Sequence, residues 1–217
     1  MARAIRTGRR ISSGAPVVTW SLIAISVIVF VLNELSSDAL NQTLWYRPVL
    51  TLFAPWTMLT ATVAHASFLH LAVNMLSLWV LGPMLEHMVG RARFLGLYLL
   101  AGLGGSVAVL WLSEPLVPVV GASGAIFGLL GALFVIQRGL GGNSTQLVVV
   151  IVLNLAIGFF VSGISWQAHV GGLVTGALVA LVYMRTRKRQ QRPLQAALVA
   201  GVALLLVLLT VARFVLA

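Results

Sequence analysis

The 217-residue chain has no cysteine, so disulfides, thiolate metal sites and a cysteine nucleophile are excluded. It has only four acidic residues, Glu34, Asp38, Glu86 and Glu114, and a single lysine, Lys188. Charged residues make up 8% of the sequence, where a soluble domain carries about 25%. That is too little charge to cover a water-facing surface. What fills the gap is apolar: 60% of the residues are hydrophobic, and lipid is the solvent that suits them. The formal charge of +10 does not point to nucleic acid. The basic residues sit beside apolar runs, as the cytoplasmic flanks of membrane helices do, and anionic headgroups are their natural counter-charge.

Uncharged runs cover residues 17–33, 48–85, 94–113, 115–137, 139–184 and 193–212. They do not alternate as the strands of a membrane barrel would. About 20 residues of helix cross a hydrocarbon core of about 30 Å, so the 46-residue run 139–184 holds two spans, with a break near Gly158–Ser165. The spacing predicts an all-α polytopic protein of seven helices, about 17–35, 57–81, 92–112, 121–138, 145–162, 165–185 and 194–214. Trp20, Trp45, Trp56 and Trp166 read as interface anchors. With the N-terminus inside, Arg3, Arg6, Arg9, Arg10, Arg91, Arg93, Arg138, Arg185, Arg187, Lys188, Arg189 and Arg192 fall on inner loops. Only Arg47 and Arg213 fall outside. The expected organisation is a cytoplasmic tail (1–16), a six-helix core (17–185), a basic linker (186–193) and an accessory seventh helix (194–217), N-in and C-out.

Polar side chains within spans mark function or helix packing. The second predicted helix carries His65, His70 and Asn74, the fourth Ser123 and the sixth His169. His70 precedes Glu86 by 16 residues, Ser123 precedes Arg138 by 15 and His169 precedes Arg185 by 16. At about 1.5 Å per residue the three groups lie at one depth, roughly 22–24 Å above the inner ends. Gly124 and Gly128 on the fourth helix, and Gly172 and Gly176 on the sixth, form small-xxx-small faces that let these two helices approach. A serine hydroxyl and an imidazole can then meet.

A serine needs a base to act as a nucleophile. Lys188 is in a cytoplasmic loop, and no carboxylate lies at the depth of Ser123, which leaves a Ser123–His169 dyad rather than a triad. Phe127, one turn below Ser123, is placed to stack on His169. Asn74, His70 and the Ser123 backbone N–H are candidate donors to an oxyanion. Glu86 with His87 reads as an inner-interface cap or ion pair. Two other readings compete. A His-lined transporter predicts an inverted repeat, and none is evident. Zinc held by the three histidines lacks both HExxH and a nearby acid.

Three motifs in order resemble the rhomboid family of intramembrane serine proteases: His65-Ala-Ser-Phe-Leu-His70-Leu-Ala-Val-Asn74, Gly121-Ala-Ser123-Gly124, and Ala168-His169-Val-Gly-Gly172-Leu-Val-Thr-Gly176. The segment Glu86-His-Met-Val-Gly90 is similar to the family's turn after the second helix. The resemblance implies Ser123 as nucleophile, His169 as base, His70 and Asn74 at the oxyanion, and a supporting role for His65. It implies substrates that are transmembrane proteins cut near their outer ends, with no metal or organic cofactor. It also implies the six-plus-one helix form and a bacterial plasma membrane location. Trp56-Thr57 departs from the family's Trp-Arg, and Phe127 from its tyrosine. A rhomboid-like protein that binds membrane clients without cutting them is the remaining alternative. The oligomeric state is not legible.

Overall fold

The computed structural model describes residues 14–36, 39–161 and 163–216. The tail arginines Arg3, Arg6, Arg9 and Arg10, and Asp38, lie outside the described residues. Among the described residues seven long helices, α1 (Val17–Leu35), α4 (Phe68–Val89), α5 (Arg91–Leu112), α6 (Ser123–Gly139), α7 (Thr145–Phe160), α8 (Trp166–Arg185) and α9 (Arg192–Val215), are joined by connections that include the short α2 (Ala39–Leu44) and α3 (Thr57–Thr60). The described residues contain no strand, only an isolated bridge between Tyr46 and Val119. The helices α1, α4, α5, α8 and α9 are long and apolar enough to cross a membrane, while α6 and α7 are apolar but shorter. The chain is an all-α polytopic membrane protein.

The core is a triplet, α5, α6 and α8, packed through glycine. A methyl on Gly172 would overlap the Gly124 carbonyl, one on Gly176 the Gly128 carbonyl, and one on Gly171 the Gly104 carbonyl. Backbones this close exchange dispersion contacts that side chains would block, which is how helices associate without a hydrophobic driving force between them. The outer helices present apolar side chains outward, as Ile28 and Val31 do on α1 and Leu204 and Leu208 on α9. Helix α7 lies outside this triplet and is lightly enclosed; only Ile151 and Gly158 are buried on it.

Two helix boundaries differ from the sequence expectation. The second long helix begins at Phe68, not near residue 57, because Ser67 is extended (φ −158°, ψ 163°) and its side chain accepts the His70 N–H. It also runs on through Gly82 and Pro83 to Val89 rather than stopping near 81. At Gly82 the missing side chain makes room for Thr19 of α1. The break in the run 139–184 falls after Phe160, and Gly158 lies inside α7.

Glu86 explains how α1 is seated. The residue capping the start of α1 is Pro16, whose side chain offers no acceptor. The first N–H groups of a helix need partners from elsewhere. Buried Glu86 of α4 accepts the Val18 N–H at 3.1 Å, the Thr19 N–H at 2.8 Å and the Thr19 hydroxyl at 2.8 Å. Its negative charge also complements the positive end of the α1 dipole. Arg91 approaches the same carboxylate at 4.0 Å. The expected cap or ion pair is therefore both. His87 instead bonds the backbone oxygens of Pro83 and Gly14.

Candidate active site

Ser123 is the first residue of α6, delivered there by a turn that only glycine can make. Gly121 has φ +116°, a left-handed value that side chains rarely tolerate, and its N–H is tied to the Ala61 carbonyl at 2.9 Å. A Cβ at Gly121 would also lie 2.5 Å from His70 Nε2. The turn thus brings the His70 ring against the start of α6. Being first in its helix, Ser123 keeps a backbone N–H with no intrahelical partner.

Across the glycine seam, His169 lies in the first turn of α8, whose start is capped by Ser165 accepting the Ala168 N–H. His169 Nε2 and Ser123 Oγ are 2.9 Å apart, within hydrogen-bond distance. The imidazole is buried, and Phe127 stacks on it with ring centroids 4.1 Å apart and planes 12° from parallel. The other ring nitrogen, Nδ1, is buried with no hydrogen-bond partner among the described residues, and none of their carboxylates orients the ring. Its orientation comes from packing: Phe127 on one face, and Gly158 of α7 so near that a Cβ there would sit 3.0 Å from Nδ1.

Asn74 is buried one turn below His70 on α4, and its amide donates to the His70 carbonyl at 2.8 Å. His65 is buried, and its ring meets that of His70 edge-on at 5.2 Å. On one continuous helix, as the sequence predicts, His65 would stand five residues before His70 and off its face. The structure corrects this through the late start of α4: His65 belongs to the irregular stretch before Phe68, where helical spacing does not apply. Gly124, Gly172 and Gly176 lie in the α6–α8 seam.

All of this opens into one cleft of about 1420 Å³, lined by His70, Asn74, Ser123, Phe127, His169 and residues of α7 such as Asn154. Tyr46, outside the spans, borders it. Burial pushes the Tyr46 phenol up to about 12, although its hydrogen bond with Thr51 (2.9 Å) acts in the opposite sense. Its hydroxyl therefore stays protonated in ordinary conditions. Among the described residues no three His, Asp or Glu side chains converge as metal ligands would. Two contributors were not legible beforehand. Gly158 had read only as the edge of the break in the run 139–184, and nothing local distinguishes a packing glycine from a breaking one. Tyr46 is one aromatic in a loop, with no periodic neighbours to mark it.

Comparison with known proteins gives a consistent result. A family model described as "Rhomboid domain" matches residues 53–186. The chain is 39% identical to the rhomboid protease GluP of Bacillus subtilis over 179 residues, 77% of this chain and 35% of GluP. It is 37% identical to the putative rhomboid protease YdcA of the same organism over 141 residues, 62% of this chain and 70% of YdcA. It is 38% identical to RHOMBOID-like protein 5 of Arabidopsis thaliana over 137 residues, 59% of this chain and 44% of that protein. The chain thus spans about a third of GluP and under half of RHOMBOID-like protein 5.

Proposed function

The chain belongs to the rhomboid family, and on that premise we propose that it is an intramembrane serine endopeptidase working through a Ser123–His169 dyad. The observation that carries this reading is the 2.9 Å approach of Ser123 Oγ to His169 Nε2 in a cleft rather than in a closed packing seam. In the proposed reaction Ser123 Oγ attacks a peptide carbonyl while His169 Nε2 takes its proton. The tetrahedral oxygen receives hydrogen bonds from the Ser123 N–H, from the Asn74 amide hydrogen not used on His70, and from His70. His169 then returns the proton to the departing amine. A water, deprotonated by the same imidazole, releases the acyl-enzyme and restores Ser123.

The substrates are transmembrane proteins cut near their outer ends. The charge bias supports N-in and C-out orientation, with Arg185–Arg192 on the cytoplasmic side. That would make residues 17–185 the catalytic core, 186–193 a basic linker and 194–217 an accessory span, in a bacterial plasma membrane.

The test uses the full chain in detergent with a fluorophosphonate probe and a transmembrane substrate. Labelling should fall on Ser123, and Ser123→Ala and His169→Ala should each lower cleavage by about three orders of magnitude or more. A chelator should change nothing. Full cleavage by Ser123→Ala would end the proposal, and binding of substrate without any cleavage by the unaltered chain would favour a client-binding protein instead.

A further inference from the structure

A second cleft opens at the other end of the bundle from Ser123. Its walls are the end of α4 (Val89), the start of α5 (Arg93), the ends of α6 (Ile136, Leu140) and α8 (Tyr183, Met184), and the linker to α9. Its volume is about 550 Å³, within the range of about 300–1,000 Å³ that takes a small ligand. The chemistry of its lining is divided. Four guanidinium groups, those of Arg93, Arg187, Arg189 and Arg192, border it, and no carboxylate does. The floor is aliphatic and aromatic.

One of these cations is fixed in place. Arg93 is half-buried, its Nε donates to Gln195 Oε1 at 2.6 Å, and its guanidinium lies 5.9 Å from the centre of the Tyr183 ring. Gln195 is in turn buried and donates to the Thr186 carbonyl and hydroxyl at 3.0 and 2.7 Å. This cluster joins α5, α8 and α9, and none of its members brings a negative charge. Arg187, Arg189 and Arg192 are exposed, and among the described residues none has a carboxylate within ion-pair distance. Acids are not close by. Among the described acids, Glu86 is occupied with α1 and Arg91, Glu34 lies in the last turn of α1, and Glu114 follows the end of α5. A concave site with uncompensated positive charge above an apolar floor, at the ends of membrane helices, fits a ligand with an anionic head and an apolar body.

We propose that this cleft binds an anionic phospholipid, its phosphate held by Arg93, Arg187, Arg189 and Arg192 and its chains running along Ile136, Leu140 and Met184. Arginine suits the phosphate because its planar fork donates two parallel hydrogen bonds. Basic pockets between membrane helices are recognised sites for such headgroups. A soluble phosphate would satisfy the guanidiniums equally but would leave the apolar floor unused. The site is independent of the peptidase reading and would stand if that reading failed.

The experiment is native mass spectrometry of the full chain in detergent, titrated with phosphatidylglycerol or with phosphatidylcholine. Phosphatidylglycerol should be retained selectively. The Arg187→Gln/Arg189→Gln pair should weaken that retention by on the order of tenfold. The Arg138→Gln/Arg185→Gln pair removes as much charge from exposed positions outside the cleft, and should leave retention nearly unchanged. Equal weakening by both pairs would mean general surface attraction and would overturn the site. Displacement of the lipid by equimolar inorganic phosphate or glycerol phosphate would overturn the lipid assignment in favour of a soluble anion. A photo-crosslinkable phosphatidylglycerol on the unaltered chain gives an arm free of folding effects. Crosslinks should map to Tyr183, Met184 and Leu140, and crosslinks spread around the bundle would overturn the proposal.

Discussion

Phe127 lies flat on the His169 imidazole, with centroids 4.1 Å apart and planes 12° from parallel. The ring comes from the same helix that carries Ser123, one turn further on. A single helix therefore supplies both the hydroxyl that His169 faces and the surface that holds His169 in position. With no hydrogen-bond partner for Nδ1 among the described residues, the proposed mechanism gives this stacking the part that an orienting acid plays in a triad. On the proposed mechanism, Phe127→Leu should lower kcat by about tenfold with KM little changed, because the base is less often aligned in the transition state. Phe127→Tyr keeps the ring and should retain activity. Steady-state cleavage of a transmembrane substrate by both variants checks this, and equal rates for Leu and Phe would remove packing as the orienting device.

Gly158 guards the other side of the same ring. A Cβ there would stand 3.0 Å from His169 Nδ1 and 3.3 Å from Ile164 Cγ2, tighter than ordinary van der Waals contact. Because α7 is lightly packed, Gly158→Ala should be relieved partly by a shift of α7 and partly by a shift of the imidazole. The expected result is a severalfold drop in fluorophosphonate labelling of Ser123. The melting temperature should change little, since alanine favours helix over glycine by about 1 kcal/mol, which offsets the crowding. A large fall in melting temperature with unaltered labelling would contradict this account.

The bundle and the Ser123–His169 contact were legible for different reasons. Long apolar runs show helices directly, and residues counted from charged inner ends gave a common depth for His70, Ser123 and His169. The glycine pairs 124/128 and 172/176 named the two helices that touch. What a count along the chain could not reach was irregular backbone. The stretch 57–67 is apolar enough to pass for a helix, yet its end is set by one capping serine, Ser67. Placing His65 in a helix then put it on the wrong side of His70. Contacts between distant segments, such as Glu86 with the start of α1 or Gly158 with His169, have no local signature. A lone acid and a lone glycine each admit several roles until the partner is seen.

Glu86 gives a test of stability separate from chemistry. Its carboxylate accepts three hydrogen bonds at the start of α1, remote from the cleft that holds Ser123. Glu86→Gln keeps the shape but loses the charge and swaps one acceptor for a donor. A charge-assisted hydrogen bond is worth about 1.5–3 kcal/mol, so the variant should unfold several degrees lower. Activity per folded molecule should persist. Parallel measurement of melting temperature and of the active fraction titrated with fluorophosphonate separates the two. An unchanged melting temperature would show that α1 is seated by other contacts.

The close approach of α6 and α8 makes the sharpest prediction, because those two helices carry Ser123 and His169. Any side chain at Gly172 must displace the Gly124 carbonyl, one residue from Ser123. Gly172→Val should therefore push the helices apart and lengthen the Ser123–His169 distance. Overpacking of this kind costs about 1–3 kcal/mol, and labelling of Ser123 should fall more than tenfold. Gly201→Val on α9 is the matched control. Nothing lies within 4 Å of a Cβ at Gly201, so the same change of residue meets lipid rather than backbone. Its melting temperature and labelling should match those of the unaltered chain. If the two variants behaved alike, the glycine seam would not be what sets the distance between the hydroxyl and the imidazole.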